Sequence, residues 1–256
     1  MSSIKQSFSW WCYADRAVAP QDLLHAAAKI GYAAVEMIEP ELWPMAHEAG
    51  LEIATISGHH GIDEGLNRPE NSERIEQELR KNIDIAVKYR IPALICFSGK
   101  REGISDAEGL ENCSETLKRI MPYAEQAGIT LIMELLNSKV NHPDYQCDTS
   151  AWGIQLCQKV DSPHFRLLYD IYHMQIMEGD IIRTIGESHP YFAHYHTAGN
   201  PGRGPLSEEQ ELNYPAIFKA IAQSGYTGYI GHEFIPEGNP IQELERAYHL
   251  CEDALK

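Results

Sequence analysis

Four side chains that can bind a metal ion stand at corresponding places in the second half of the sequence. They are Glu134 in LIME, Asp170 in RLLYD, His196 in AHYH and Glu233 in YIGHE, with spacings of 36, 26 and 37 residues. Three carboxylates and one imidazole suit Mg2+, Mn2+ or Co2+ better than a metal that prefers thiolates. One carboxylate at a strand end is often only a helix cap, but four such groups in register predict a shared divalent ion.

A divalent ion beside carboxylates is suited to isomerising a small hydroxycarbonyl compound. A hydrogen on the carbon next to a carbonyl becomes removable when the developing enediolate is stabilised, and a metal acting as a Lewis acid does this. One carboxylate can then remove the proton, and the same group or a second one can return it. We therefore expect proton transfer and not a hydride shift, because none of the four strand ends carries a lysine.

The elements that must position these residues alternate along the whole chain. Helical patterns separate eight β-rich runs, and this alternation predicts a parallel sheet. Eight repeats favour a closed (β/α)8 TIM barrel over an open doubly wound sheet, whose usual GxGxxG turn is absent. The strands are expected at Lys5–Ser9, Ala34–Met37, Glu52–Ser57, Ala93–Phe97, Thr130–Glu134, Phe165–Asp170, Tyr191–His196 and Tyr229–Glu233.

The helices are expected in the intervals between these runs. Glycines at 31, 50, 128 and 225 each follow a helical pattern and precede a strand, as helix C-caps do. The predicted helices are Asp22–Ile30, Glu41–Ala49, Asn71–Tyr89, Ala107–Ala127, Thr149–Val160, Ile181–Ser188, Asn213–Ser224 and Ile241–Leu255.

Length and charge restrict the class of protein further. The 256 residues fit one barrel, so we expect a single catalytic domain over residues 1–256. The formal charge of −16 disfavours nucleic acid and anionic membranes as partners. The N-terminal sequence lacks the pattern of a secretory leader, and the six cysteines form no CxxC pair, so we expect a cytoplasmic protein with reduced thiols.

Several longer motifs carry a resemblance to a known family. Over nearly the whole chain the sequence resembles the hydroxypyruvate isomerase family within the xylose isomerase-like TIM barrels. The motifs are GLNRPE at 65–70, LIMELLN around Glu134, YDIYHMQ at 169–175, HYHTAGNPGR at 194–203, ELNYPAIFKAI at 211–221 and GHEFIP at 231–236.

The resemblance implies roles for six residues of this sequence. It makes Glu134, Asp170, His196 and Glu233 the ligands of the metal, and Glu134 and Glu233 also the pair that transfers the proton. It implies that His173 and Arg203 hold oxygen atoms of the substrate, and that the chain forms homo-oligomers.

Two departures from the family pattern bear on these roles. Many relatives have glutamine in place of His196, but imidazole is a good ligand for the same ions. Many relatives also have Glu or His-Glu soon after the arginine of PGR, where this chain has Gly204, Pro205 and Leu206. The second departure leaves the substrate open.

Other side chains are weaker candidates for the site. His59, and less so His60, after the third strand are candidates for binding substrate, although paired histidines in polar loops are more often solvated. Trp10 and Trp11 after the first strand could line a sugar pocket, and Glu36 in the second strand could reach it. We expect His194 to support His196 and not to bind the metal.

The leading interpretation is a metal-dependent isomerase that interconverts hydroxypyruvate and tartronate semialdehyde, with Arg203 on the substrate carboxylate. A ketose 3-epimerase or another sugar isomerase with the same ligands is the alternative. An abasic-site endonuclease is disfavoured by the acidic charge. A barrel that only binds a ligand is disfavoured because it would need no pair of glutamates.

Overall fold

The structure of this chain is a computed structural model that describes residues 4–14 and 18–256. The first three residues of the N-terminal segment that we compared with a secretory leader lie outside these ranges. The described residues form two compact units. Unit 1 consists of Met1–Ala54, Asp180–His189 and His194–Lys256, and unit 2 of Thr55–Gly179 and Pro190–Ala193.

The described residues contain nine strands, where the sequence predicted eight. The additional strand arises because the predicted run Glu52–Ser57 divides at Ala54, and its two parts pair with different neighbours. The strands are β1 (Lys5–Ser9), β2 (Ala34–Glu36), β3 (Glu52–Ile53), β4 (Thr55–Ser57), β5 (Ala93–Cys96), β6 (Thr130–Glu134), β7 (Phe165–Asp170), β8 (Phe192–Thr197) and β9 (Tyr229–His232).

Each unit contains parallel strands in the order expected of repeated β/α units. In unit 1 the order is β3-β2-β1-β9-β8, with Phe8 opposite both Val35 and His232. In unit 2 the order is β7-β6-β5-β4, with Leu131 opposite both Leu94 and Phe165. Parallel pairing places the carboxyl ends of neighbouring strands at the same edge.

The predicted helices are present, and one further helix was not predicted. The helices in the described part of the chain are α1 (Pro20–Ile30), α2 (Trp43–Glu48), α3 (Ser72–Tyr89), α4 (Asp106–Ala127), α5 (Ser150–Val160), α6 (Ile171–Met177), α7 (Ile181–Ser188), α8 (Tyr214–Gln223) and α9 (Pro240–Ala254). The unpredicted helix is α6. Over residues 4–14 and 18–256, no helix is both long and apolar enough to cross a membrane.

Local sequence explains where the helices begin, end and pack. The side chain of Ser105 accepts the backbone N–H of Glu108 at the start of α4, and Gly128 ends α4 with a left-handed φ of 71°. In α3 the buried side chains recur at the spacing of one helix face, at Ile75, Leu79 and Ile83. All six cysteines are buried, and none of them forms a disulfide, in agreement with the reduced thiols expected from the sequence.

Each unit has its own buried core. In unit 1 the ring of Phe8 contacts Tyr13 and Tyr32 edge-on, and Tyr13 in turn contacts Phe234. In unit 2 the strands β5, β6 and β7 bury aliphatic side chains that include Leu94, Leu131, Ile132, Leu167 and Leu168. These cores hold the strands whose carboxyl ends carry the candidate residues.

Two buried polar side chains connect the ends of neighbouring strands in unit 2. The hydroxyl of Tyr145 accepts the N–H of Ser98 at 3.0 Å and donates to the carbonyl oxygen of Glu134 at 3.0 Å. The Nε2 of His59 accepts the N–H of Phe97 at 3.0 Å, so the Nδ1–H points to the carbonyl oxygen of His60, 3.3 Å away. Both side chains therefore satisfy backbone groups that would otherwise be buried without a partner.

Replacing Tyr145 with phenylalanine should destabilise the protein. The substitution leaves the Ser98 N–H and the Glu134 carbonyl without this partner, and an unsatisfied buried group costs about 1–3 kcal/mol. Urea unfolding measures the loss. Tyr123→Phe is the matched control, because the Tyr123 hydroxyl bonds to Asp84 at the surface; equal losses in the two variants would contradict the assigned role of Tyr145.

His59 should make the free energy of unfolding depend on pH. Burial lowers the pKa of His59 to about 4, from 6.5 for an exposed imidazole. The unfolded chain therefore binds the proton first, and stability is lost as pH falls from about 6.5 towards about 4, by on the order of 3 kcal/mol. His59→Gln should flatten the slope of urea stability against pH, measured with a chelator present.

The slope should not vanish in this variant, because burial also lowers the pKa of His232, to about 3. The matched control is His25→Gln, which removes an exposed imidazole and not a buried one. A slope unchanged in His59→Gln would show that His59 is not held neutral in the folded protein.

Candidate functional site

Glu134 and Asp170 lie at the carboxyl ends of β6 and β7, where the sequence predicted them. Their exposures are only 6% and 1%, and each offers a carboxylate oxygen within 4.8 Å of one from the other. Two poorly hydrated carboxylates at this separation repel each other, so the pair needs a proton or a cation. This half of the predicted ligand set has the chemistry that a hard divalent ion requires.

Asp170 also begins the short helix α6. Its Oδ1 accepts the backbone N–H of His173 at 3.0 Å, and its Oδ2 lies 3.6 Å from Nε2 of the same histidine. The other ring nitrogen of His173, Nδ1, accepts the backbone N–H of Asn137 at 3.1 Å. The proton of a neutral His173 is thereby assigned to Nε2, so the ring presents an N–H donor beside Asp170.

His196 and Glu233 form the second half of the predicted set, in unit 1. His196 lies on β8, and its Nδ1 is 3.0 Å from Oε2 of Glu233, the residue that follows β9. The guanidinium of Arg203 forms an ion pair with the same oxygen, and its Nε donates to the Glu233 carbonyl at 3.2 Å. Burial acts to raise the pKa of Glu233, but His196 and Arg203 outweigh it and hold that pKa well below its usual range.

Trp11 completes the surroundings of Glu233. Its indole N–H donates to Oε1 of Glu233 at 2.8 Å, and the Arg203 guanidinium lies 5.4 Å from the centre of its ring. The side chain is nevertheless 46% exposed. Trp11 therefore contacts both a buried carboxylate and solvent, which is compatible with the wall of a pocket as the sequence suggested.

Behind His196 lies a second buried carboxylate, Glu36 at the end of β2. Its Oε2 is 2.9 Å from Nε2 of His194 and 3.1 Å from Nε2 of His196. Burial acts to raise the pKa of Glu36, but the two imidazoles outweigh it and keep the pKa well below its usual range. His194 faces Glu36, in agreement with the supporting role expected of it.

His59 is the remaining candidate from the sequence. It is 2% exposed, in unit 2, and backbone groups occupy both of its ring nitrogens as described above. A substrate would have to contact a carbon of this ring and not a nitrogen, and binding by His59 stays a prediction. Trp10, by contrast with Trp11, is buried.

Sequence reasoning missed two residues that orient the candidates. Asn137 had not been singled out. Its signal was that it is a turn-forming residue in the loop that follows β6, three residues after Glu134 in LIMELLN. Ser7 had no signal at all, yet its hydroxyl donates to Oε1 of Glu36 at 2.5 Å. Alternation along β1 could only have shown that Ser7 faces away from Phe8.

The acidic and histidine groups described here could bind a divalent metal ion. The donor set consists of buried carboxylates and imidazoles, which are the ligands that Mg2+ and Mn2+ accept. A second group in unit 1, formed by Glu36, His194 and His196, also has ligand atoms within 4.8 Å of one another. There Oε2 of Glu36 is hydrogen-bonded to Nε2 of His196 and lies 2.9 Å from Nε2 of His194, which accounts for the cluster without an ion.

Comparison with known proteins agrees with this chemistry. The family model described as xylose isomerase-like TIM barrel matches residues 24–251. A human protein provisionally named hydroxypyruvate isomerase is 30% identical over 237 residues, which cover 86% of each chain. A 2-oxo-tetronate isomerase from Haemophilus influenzae is 28% identical and covers 88% of this chain and 91% of its own.

Solved structures show the same fold. A Brucella melitensis protein, described as an AP endonuclease of family 2, has a TM-score of 0.80 at 26% identity and covers 95% of this chain and 97% of its own. The D-psicose 3-epimerase of Clostridium cellulolyticum H10 has a TM-score of 0.76 at 18% identity and covers 99% of this chain and 100% of its own. These matches confirm the predicted (β/α)8 TIM barrel class. The chain belongs to the xylose isomerase-like TIM barrel family and, within it, to the hydroxypyruvate isomerase family, and it is an isomerase.

Proposed function

We propose that this chain interconverts hydroxypyruvate and tartronate semialdehyde with one bound divalent ion. The observation that carries the proposal is Glu233, a buried carboxylate at the end of β9 that His196 and Arg203 keep ionised. A carboxylate in this state is a base, and the neighbouring guanidinium suits a substrate that is itself an anion. The names of the relatives support the same reaction.

The ligands in this proposal are Glu134, Asp170, His196 and Glu233. The support is that each of these side chains ends or directly follows one of four successive strands, and TIM-barrel active sites lie at the carboxyl ends of the strands. The ion is Mg2+ or Mn2+, with Co2+ as a further option. When bound, such an ion polarises a carbonyl oxygen as a Lewis acid and so favours negative charge there.

The glutamates carry out the proton transfer. Hydroxypyruvate has a hydroxymethyl carbon beside its ketone, and a carboxylate of Glu134 or Glu233 takes a proton from that carbon to leave an enediolate. The protonated carboxyl, or the other glutamate, then returns a proton to the former ketone carbon. The hydroxyl proton moves to the other oxygen, so the product is an aldehyde with a new carbinol and no redox partner is needed.

Three residues are assigned to the substrate. Arg203 binds the carboxylate, because a guanidinium can hold two carboxylate oxygens at once. His173 donates its Nε2–H to a substrate oxygen, in keeping with the tautomer assigned from Asn137. His59 is retained as a contact through its ring edge.

The remaining parts of the proposal concern the protein as a whole. We infer one catalytic domain over residues 1–256, a cytoplasmic location, a role in carbohydrate metabolism and assembly into homo-oligomers. The partner is a small hydroxycarbonyl compound, and neither nucleic acid nor membrane is expected. The second candidate function is a ketose 3-epimerase, favoured by the fold shared with the D-psicose 3-epimerase and by the sequence Gly204–Leu206 after Arg203.

Turnover in D2O tests the reaction and the proton transfer together. Purified protein with Mn2+ should convert hydroxypyruvate to tartronate semialdehyde, and NMR should find deuterium on the carbinol carbon, because a carboxylate exchanges its proton with solvent. Removal of the metal by a chelator should abolish turnover, and Mn2+ should restore it. Asp170→Asn and a sample without enzyme are the controls.

Three outcomes of this experiment would contradict different parts of the proposal. Full retention of the substrate hydrogen would contradict proton transfer by the glutamates. Unchanged activity after thorough chelation would contradict the metal site. Turnover of ketoses without turnover of hydroxypyruvate would replace the proposed reaction with that of a ketose 3-epimerase.

Arg203→Ala should weaken the use of the anionic substrate in particular. Loss of a hydrogen bond to a charged group costs about 1.5–3 kcal/mol, which lowers kcat/KM for hydroxypyruvate by about 10–150-fold. Turnover of a neutral triose should fall much less. Steady-state kinetics with Arg246→Ala, an exposed arginine of unit 1, provide the control; an equal loss for charged and neutral substrates would show that Arg203 acts only through Glu233.

A further inference from the structure

Glu36 is a buried carboxylate to which the proposed reaction gives no direct role. It is 0% exposed, and each of its oxygens has a defined partner. Oε1 accepts the hydroxyl of Ser7 at 2.5 Å, while Oε2 lies between the Nε2 atoms of His194 and His196. A carboxylate with this many donors is held in one orientation, because any rotation leaves a buried donor unsatisfied.

The space around Glu36 is closed on the side of β9. A Cβ atom at Gly231 would lie 2.1 Å from Oε1 of Glu36 and 2.9 Å from Cδ2 of His196. Glycine at this position therefore lets the carboxylate and the imidazole occupy the place of a side chain. The Glu36 carboxylate and the His196 ring therefore pack directly against the backbone of β9, and the residue that follows β9 is Glu233.

We propose that Glu36 is the positioning residue of His196: it accepts the Nε2–H, so that Nδ1 faces Glu233 and, when His196 is neutral, is the nitrogen whose lone pair is available to the metal ion. A neutral imidazole has one N–H and one lone pair, and the acceptor at one nitrogen decides which nitrogen carries the lone pair. Carboxylates that fix ligand histidines in this way commonly change metal affinity by 10–100-fold. This inference rests on the proposed metal site.

His194 has a supporting part in this arrangement. Its Nε2 lies 2.9 Å from the Glu36 oxygen that bonds to His196, and the two rings meet edge-to-face with their centres 5.1 Å apart. The ring of His194 therefore packs against both Glu36 and His196 and limits the positions that either side chain can take.

The same three residues could instead bind a second metal ion, since Glu36, His194 and His196 offer ligand atoms within 4.8 Å of one another. In that arrangement the Nε2 atoms would carry lone pairs and not protons. The two interpretations therefore differ in whether the Nε2 atoms carry protons and in how many metal ions each chain binds.

The experiment uses the full chain with Glu36→Gln and Glu36→Ala. The control is Glu52→Gln, at an exposed position of β3 in the same unit. Glutamine keeps an oxygen acceptor of the same shape but removes the charge, whereas alanine removes the acceptor. NMR of 15N-histidine protein, metal-free and with Mg2+, detects ring N–H protons; His194→Gln and His196→Gln assign them. Mn2+ titration gives affinity and stoichiometry.

The parent protein should show a downfield Nε2–H resonance from His196 and bind one Mn2+ per chain. The resonance should shift upfield in Glu36→Gln and disappear in Glu36→Ala, and Mn2+ affinity should fall about 10–100-fold in Glu36→Gln. Glu52→Gln should match the parent in both measurements. If Glu36→Ala fails to fold, the isosteric Glu36→Gln still gives both readings.

Three results would overturn the inference. They are an Nε2–H resonance that stays in place when Glu36 is changed, Mn2+ affinity in Glu36→Gln equal to that of the parent, and two ions per parent chain of which Glu36→Gln loses one. Failure of the proposed function looks different. A parent protein that binds no Mn2+ would refute the metal site, while the Nε2–H resonance would still show whether Glu36 positions His196.

Discussion

Buried negative charge is the constraint on which the candidate residues of this protein depend. Each unit places carboxylates at strand ends where little water reaches them: Glu134 and Asp170 in unit 2, and Glu36 and Glu233 in unit 1. An ionised carboxylate in such a place is costly unless hydrogen bonds or cations compensate it. The neighbouring side chains can be understood as that compensation.

The two units meet this constraint in different ways. In unit 2, Asp170 accepts a backbone N–H at the start of α6 and has the N–H of His173 beside it, and both of these donors are neutral groups. In unit 1, Glu233 has a guanidinium, an imidazole and an indole N–H around it, which favour the ionised state more strongly. These surroundings keep Glu233 ionised in the resting protein, and they also make it a weaker base than an exposed carboxylate.

Much of this arrangement could be predicted from the sequence, because strand ends recur at a regular spacing. The strands that carry Glu134, Asp170 and His196 were predicted to within one residue at each end, since short runs rich in apolar and aromatic residues recur between longer helical patterns. The helix α6 was missed because seven residues are too few to show a helical period. Its only signal is Asp170 itself, a residue type that favours the N-cap position.

The role of Glu36 could not be derived in the same way. It depends on contacts between residues separated by 160 positions and on the register that sets Ser9 beside Glu36 and His196 beside Gly231. No local pattern contains this register, so a sequence can suggest that Glu36 is buried but not which atoms it meets. The only hint in the sequence is Gly231 in β9. A glycine inside a buried strand often marks a place where another group approaches the backbone closely.

The net charge of the chain affects how an anionic substrate would be attracted to it. With a formal charge of −16, the protein repels an anion at long range, although physiological salt screens this field beyond roughly 8 Å. Selection of a carboxylate must therefore come from contacts at short range. In the proposed reaction Arg203 makes this contact, and the structure places its guanidinium against the ring of Trp11 and beside Oε2 of Glu233. A neutral ketose would make no use of this charge, whereas a three-carbon acid would, and this difference is the physical reason for proposing the acid and not the ketose.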